Sequence, residues 1–573
     1  MDKISKKNQM IKNKINILRK KFNKYKIDGY IIPKNDDYFS EYAKNDRLRT
    51  ITKFSGSAGI AVILKKNNYL FVDGRYTIQA QQESSKNFNI IEIHKKLPHK
   101  IIKNYTLGYD PSLFTNNTLN KYFAHNKLVL INQNLIDQIS TFNEKKTKPF
   151  YSLEKKIVGE THQSKISKIV KFLNSNKADY LFVSAPENVA WLLNIRGHDN
   201  PNSPIPNARL IIHKNKKIYL ITEKTKAFNI IKEKKIKKNQ IINNNDFLTL
   251  INQLPGGSFI IDDKTCSVFY ENIIKKRFKI LKINDPIYKL KSIKNMYEIK
   301  HMIEAHKKDG LALTKFIYWI KNVNKKSITE VDAQNKLEKF RKLSKDYLFP
   351  SFNTIAGTGS NGAIVHYRAT SKITKKINKQ DIFLVDSGGQ YKYGTTDVTR
   401  TICFTKQKKS IMNAYTNVLK GHIAVAQTNL SIFNTGKKID IRARKFLKKE
   451  GLDYAHGTGH GVGFFLNVHE GPQSISKYNN IKIEEGMILS NEPGYYKQNH
   501  FGIRIENLIY AKQLNNKLSF ENLTFAPIEK DLINYQLLNE SEKDYLFKYH
   551  LKIYSKYSSV LNKKERKWLA SLI

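Results

Sequence analysis

Residues 382–401 read IFLVDSGGQYKYGTTDVTRT, and residues 486–508 read GMILSNEPGYYKQNHFGIRIENL. Each is an apolar run that stops on an acid, followed by a Gly-containing turn and a second acid. Asp386 closes the first run, and Asp397 follows 11 residues on. Glu492 follows the run MILSN, and Glu506 comes 14 residues later. The turn chemistry predicts two hairpins, each setting a pair of carboxylates side by side at one end of an apolar sheet. A buried, unpaired carboxylate is strongly disfavoured, and four together repel one another. Bound cations are the usual stabiliser of such a cluster. Between the runs, His460 lies in the Gly-rich stretch HGTGHGVG (456–463) and adds one nitrogen donor. Four carboxylates and one imidazole form a mostly hard ligand set that suits Mn²⁺, with Zn²⁺, Co²⁺ or Fe²⁺ as alternatives. Carboxylates shared between two ions would hold them about 4 Å apart.

Working outward, the stretch from 289 to 573 predicts an α+β unit. Helices are expected over Lys291–Lys321, Thr329–Leu343, Lys409–Thr428 and Asp440–Glu450. Strands are expected over Thr354–Gly357, Ile382–Asp386, Thr399–Cys403, Met487–Asn491 and Gly502–Tyr510, forming one curved antiparallel sheet. Ahead of it, residues 1–152 predict an α/β unit: a helix over Lys12–Tyr25, the strand Gly29–Pro33, a helical stretch Tyr38–Ala43, two strands, a helix over Tyr76–Glu83 and the strand Ile90–Ile93. Residues 153–288 repeat the order, with Ser164–Ser175, Tyr180–Val183, Pro186–Leu193, Arg209–His213, Ile218–Ile221 and Ala227–Lys234. This reads as two similar domains produced by duplication.

Composition narrows the classes. With 573 residues the chain exceeds a single hydrophobic core. Cys266 and Cys403 are the only cysteines, too few for a disulfide framework or a thiolate zinc site, and they point to a reducing compartment. The opening MDKISKKNQMIKNKINILRKKF has no apolar run suited to a secretory signal, and no stretch approaches the roughly 20 apolar residues of a membrane span. The expectation is a cytoplasmic chain with no membrane partner. The formal net charge is +51. The excess is spread along the chain as Lys mixed with Ile and Asn, as in KEKKIKKNQIINNN (232–245), and carries no nucleic-acid-binding motif. It is read as a composition bias, with no nucleic-acid partner expected.

These motifs resemble those of the "pita-bread" metallopeptidases, the fold shared by methionine aminopeptidase, prolidase and aminopeptidase P. PSFNTIAGTGSNGAIVHYR (350–368), LVDSGGQY (384–391), GTTDVTRT (394–401), HGTGHGVGFFLNVHEGPQ (456–473) and GMILSNEPGYY (486–496) are similar to the three-domain aminopeptidase P family. FSGSAGIAVI (54–63), VDGRYTIQA (72–80) and NVAWLLNIRG (188–197) resemble its two creatinase-like N-terminal domains. The resemblance implies domains at 1–152, 153–288 and 289–573, the last catalytic. It implies that Asp386 binds one metal, Asp397 and Glu506 bridge two, and His460 and Glu492 bind the second. His366, His456 and His469 would line the active site, Arg504 would orient a bridging carboxylate, and Glu492 would double as proton shuttle. The implied reaction is metal-dependent hydrolysis, by an activated water, of the bond between an N-terminal residue and a penultimate proline. Relatives of this form are commonly homodimers. One departure is Tyr393, in Lys392-Tyr393-Gly394, where relatives usually carry Asp; it lies outside the ligand set. Prolidase, restricted to dipeptides, is the nearest rival. A metal-free binding protein and a creatinase-like hydrolase are less consistent with five intact ligand positions.

Overall fold

A computed structural model describes residues 3–41, 45–142 and 148–573. The chain divides into two compact units, the first Met1–Lys155 with Glu160–Ile287, the second Lys156–Gly159 with Tyr288–Ile573.

The first unit holds two six-stranded sheets of the same topology. In one, the order is Asn89–Glu92, Asn68–Val72, Ile60–Leu64, Gly29–Pro33, Thr106–Tyr109, Lys127–Leu130. In the other it is Ile241–Ile242, Ile218–Ile221, Arg209–His213, Tyr180–Val183, Ser258–Ile261, Lys279–Lys282. Each has two antiparallel pairings at its centre flanked by parallel ones, with the pattern matched strand for strand. The duplication expected from the sequence is therefore present in the pairing. Period-two alternation splits the first sheet's side chains between two cores. Tyr30, Ile32, Ala61 and Ile63 pack beneath Ile11, Ile15 and Leu18 of the N-terminal helix Lys3–Lys20 and Phe22 of the short helix Phe22–Tyr25 that follows it. Ile31, Val62 and Phe71 face Leu107, Phe114, Leu119 and Phe123 on the other side.

The helix expected at Tyr38–Ala43 is not found in its described part, and residues 42 and 43 lie outside the described residues. The Asp36 carboxylate accepts from Tyr38 N at 3.0 Å and Ser40 N at 2.9 Å, closing a turn instead. The helix begins later, at Arg47–Thr52, where Asp46 caps its first turn through Arg49 N.

In the second unit, the helix expected over Lys291–Lys321 is two, Pro286–Ser292 and Met296–Asn322. The break has a local cause. Asn295 caps the longer helix, accepting from Tyr297 N at 3.0 Å and Glu298 N at 3.1 Å, while Glu298 reaches back to Asn295 N. Lys291, at the end of the first helix, and Lys294, within the break, both turn inward to the buried carboxylate of Glu470. The expected single curved sheet is likewise divided. A three-stranded sheet runs Ile355–Thr358, Phe383–Ser387, Val398–Ile402. A five-stranded sheet runs Glu470–Ile475, Gly459–Gly461, Ile488–Asn491, Asn507–Leu514, Lys517–Asn522. The expected strand Gly502–Tyr510 is two: Phe501–Arg504 pairs with Gly494–Lys497, whereas Asn507–Leu514 joins the five-stranded sheet. Helices Met296–Asn322 and Glu330–Arg341 bury Phe316, Ile317, Ile320 and Leu337 against Phe383, Val385, Val398 and Ile402. Helices Lys409–Ala426 and Gly436–Lys449 bury Val425, Ile439 and Ala443 against Ile475, Leu489 and Ile509. Between these layers lie the ends of the acid-bearing strands.

Candidate metal centre

Register brings the four carboxylates together. In the three-stranded sheet Asp386 pairs with Thr399, which places Asp397 two residues upstream across the ladder. In the five-stranded sheet Asn491 pairs with Asn507, so Glu492 and Glu506 flank one ladder position. Glu506 sits in the break between two strands, and its N–H donates to Thr399 O at 3.1 Å, joining the sheets. The acids thus come from two sheets, not from hairpins on one. The break in the 501–510 run frees Glu506 from either ladder to face the other three.

His460 closes the group. Its N–H donates to Ser490 Oγ at 2.9 Å and its Nδ1 to Gly461 O at 2.9 Å. That leaves Nε2 aimed at Asp397 Oδ2 (3.4 Å) and Glu492 Oε1 (3.5 Å). Donor atoms of Asp397, His460 and Glu506 lie within 4.8 Å of one another. The Gly-rich run has a steric reason: a Cβ on Gly459 would stand 1.9 Å from Ser490 O, so only glycine lets this strand approach its neighbour.

Electrostatics marks the site as one that lacks positive charge. Burial, helped by the charges of Asp397, Glu492 and Asp386, holds the Glu506 carboxyl well above the usual range. Burial and Asp386 push Asp397 up to about 6, against the opposing hydrogen bond from His460. Burial alone would lower His460, but Asp397 and Glu492 outweigh it and lift the imidazole to about 9. Asp386 accepts from Arg504 Nη2 at 2.7 Å on Oδ2, while its buried Oδ1 has no hydrogen-bond partner. An orphaned carboxylate oxygen, a carboxyl forced to keep its proton and an imidazole with Nδ1 already engaged together form a donor set that fits divalent metal ions.

The remaining expected residues fall into a wired second layer. Arg504, 2% exposed, donates through Nε to Thr399 Oγ1 (3.1 Å), and that hydroxyl donates to Glu506 Oε2 (2.7 Å). It therefore touches Asp386 directly and Glu506 through one hydroxyl. Arg504 Nη1 donates to the Tyr496 hydroxyl, which shares a hydrogen bond of 2.9 Å with His456 Nε2, and His456 Nδ1 donates to Gly457 O. His469 stands edge-on to His460 with ring centroids 4.3 Å apart. His366 is half-buried beside Val365, whose carbonyl accepts from Arg504 Nη2 at 3.4 Å. Tyr393 packs edge-on against His301 and Phe465, outside the carboxylate group. Tyr496 and Thr399 were not singled out from the sequence. Both lie inside the quoted motifs, but no periodicity separates them from ordinary strand residues. A second acidic group, Cys403 with Glu529 and Asp531, already has its cation: Lys321 Nζ lies 2.7 Å from Glu529 and 2.8 Å from Asp531.

Comparison with known proteins identifies the domains. The model of metallopeptidase family M24 matches residues 300–513, and that of the C-terminal region of peptidase M24 matches 516–572. Two creatinase/prolidase N-terminal domain models match 14–139 and 142–298. Fold and site therefore define a metallopeptidase with creatinase-type domains ahead of it. A probable Xaa-Pro aminopeptidase P of Laccaria bicolor is 35% identical over 595 residues, covering 96% of this chain and 91% of that one. Xaa-Pro aminopeptidase 1 of Dictyostelium discoideum is 35% identical over 611 residues, covering 98% and 96%. A solved structure of X-prolyl aminopeptidase from Caenorhabditis elegans, described as a cytosolic enzyme with a di-nuclear active site, superposes with a TM-score of 0.91 at 28% identity, covering 98% of this chain and 99% of that one. Prolidase from Pyrococcus furiosus covers 62% of this chain and 99% of its own, with a TM-score of 0.51 at 26% identity. The chain belongs to the aminopeptidase P family of M24 metallopeptidases. Two divalent metal ions accord with the family and with the di-nuclear neighbour. Among the described residues, no helix is long and apolar enough to cross a membrane.

Proposed function

We propose that this chain is a metal-dependent aminopeptidase that hydrolyses the bond between an N-terminal residue and a penultimate proline. The observation that carries the reading is the meeting of Asp386, Asp397, His460, Glu492 and Glu506 at one sheet junction, in a chain similar end to end to Xaa-Pro aminopeptidases. Asp386, Asp397, Glu506, His460 and Glu492 would hold the ions, with Asp397 and Glu506 as the carboxylates both could share. The oxygen-rich set favours Mn²⁺ over Zn²⁺ or Co²⁺. Bound there, the ions lower the pKa of a water and polarise the substrate carbonyl.

The chain's own residues supply the rest. Glu492 is half-buried and steadied by Ser490 Oγ at 3.0 Å, which suits a carboxylate that takes a proton from the attacking water and passes it to the leaving proline nitrogen. That nitrogen belongs to a tertiary amide with no N–H, so it must gain a proton to leave. His366, half-buried, and His469, edge-on to His460, would line the substrate's path to the carboxylates. His456, held between Gly457 O and the Tyr496 hydroxyl, lines the substrate site. Arg504 keeps Asp386 and Glu506 in register. The acidic centre attracts the substrate's free amine, which gives exopeptidase action.

The working division is two creatinase-like domains at 1–152 and 153–288 ahead of a catalytic domain at 289–573. The reading places the enzyme in the cytoplasm, as a homodimer acting on peptides with penultimate proline, with neither nucleic acid nor membrane as partner. Xaa-Pro dipeptides compared with Xaa-Pro-Xaa tripeptides test it: tripeptides are cleaved with the higher kcat/KM. Cleavage of dipeptides alone would make the chain a prolidase.

A further inference from the structure

Arg400 lies three residues beyond Asp397 and is 1% exposed, yet among the described residues no carboxylate pairs with it. A buried guanidinium without a counter-ion is costly and calls for an explanation. All its N–H directions are spent on neutral oxygens. Nε donates to Pro527 O (2.8 Å), and Nη1 donates to Thr399 O (2.8 Å) and Glu506 O (2.6 Å). Nη2 donates to Asn507 Oδ1 (2.9 Å), Ala526 O (2.7 Å) and the Tyr549 hydroxyl (3.0 Å).

These acceptors come from three pieces of chain. Thr399 is on the strand that follows Asp397. Glu506 and Asn507 carry the acid that sits between two strands. Pro527, Ala526 and Tyr549 belong to the C-terminal segment, Tyr549 on the helix Glu540–Tyr557. The Tyr549 hydroxyl, 2.9 Å from Ala526 O and 3.3 Å from Asn507 Oδ1, fixes the rim of the fork that Arg400 fills. Glu506 needs such a clamp because its own residue is in neither ladder. Its carbonyl is held by Arg400 and its side chain by Thr399 Oγ1.

We propose that Arg400 and Tyr549 are positioning residues that lock the main chain of Glu506 to the strand of Asp397, so that the C-terminal helix sets the spacing of the two carboxylates shared by the metals. The proposal rests on the reading of those carboxylates as ligands. Neither residue is among the five expected ligands.

The test is calorimetric titration of the EDTA-stripped full chain with Mn²⁺, in wild type, Tyr549→Phe, Arg400→Lys and the control Tyr557→Phe. Tyr557 is on the same helix and equally buried, but its hydroxyl has no hydrogen-bond partner. Tyr549→Phe removes one oxygen and is expected to weaken Mn²⁺ binding by about tenfold. Its kcat should return to within about twofold of wild type when Mn²⁺ is raised to saturation, since only positioning is lost. Arg400→Lys, which keeps the charge but loses the fork, should weaken binding further. Tyr557→Phe should bind as wild type. Wild-type affinity in Tyr549→Phe and Arg400→Lys would overturn the proposal, and so would equal weakening in Tyr557→Phe, which would mark a general packing effect. Failure of the wild type itself to bind Mn²⁺ would instead overturn the reading of the ligands.

Discussion

Metal binding should expel protons, in an amount set by the buried cluster. In the metal-free chain His460 is lifted to about 9 by Asp397 and Glu492 despite its burial, so at pH 7 it is an imidazolium. A metal takes the Nε2 lone pair only after that proton leaves, which contributes about one proton. The Glu506 carboxyl, held well above its usual range by burial and three neighbouring acids, contributes toward a second. Asp397, pushed to about 6, adds only about 0.1 proton at pH 7 but about 0.5 at pH 6. Isothermal titration of Mn²⁺ into stripped protein, in buffers of different ionisation enthalpy, reads this number directly. The expected release is one to two protons per chain at pH 7, growing as pH falls to 6. A binding enthalpy that is the same in every buffer would refute the reasoning, because it would mean the ions settle where no proton is held.

Three substitutions probe the scaffold. Arg504→Lys keeps a charge near Asp386 but cannot reach Thr399 and Tyr496 as well; kcat should fall by about 10²-fold with little change in KM, read from steady-state kinetics at saturating Mn²⁺. Glu470→Gln leaves the Lys291 and Lys294 amines buried without their shared carboxylate; it should cost on the order of 3–5 kcal/mol in denaturant unfolding. Gly459→Ala drives a Cβ into Ser490 O and displaces His460; it should lower the unfolding midpoint and weaken Mn²⁺ binding together, whereas a drop in stability alone would show that the His460 strand tolerates the shift.

The parts of this molecule visible in the sequence are those where local chemistry and tertiary structure agree. Asp386 and Glu492 each follow an apolar run, with Asp397 and Glu506 beyond a Gly-containing turn, and an acid in such a position is legible because burying it needs a reason. The paired α/β units were legible because Gly29–Pro33 and Tyr180–Val183 are strands buried at every position, each preceded by an amphipathic helix. What was hidden depends on contacts distant in sequence. The strand break before Glu506 follows from Thr399, 107 residues away, capturing its carboxylate. The helix break at Asn295 follows partly from Glu470, 176 residues beyond Lys294. Arg400 reads as an ordinary strand residue and Tyr549 falls in no element expected from the sequence, and 149 residues of chain separate the guanidinium from the hydroxyl it meets. The helix expected at Tyr38 failed for a local reason, since Asp36 offers the backbone a turn that competes with helix.

The most direct test of the central claim is release of free arginine from Arg-Pro-Pro by EDTA-stripped protein, before and after addition of Mn²⁺. The expected result is no release from stripped protein and turnover once Mn²⁺ is added, abolished in Asp397→Ala. Release that is equal with and without metal, or that survives Asp397→Ala, would contradict a metal-dependent peptidase built on these carboxylates.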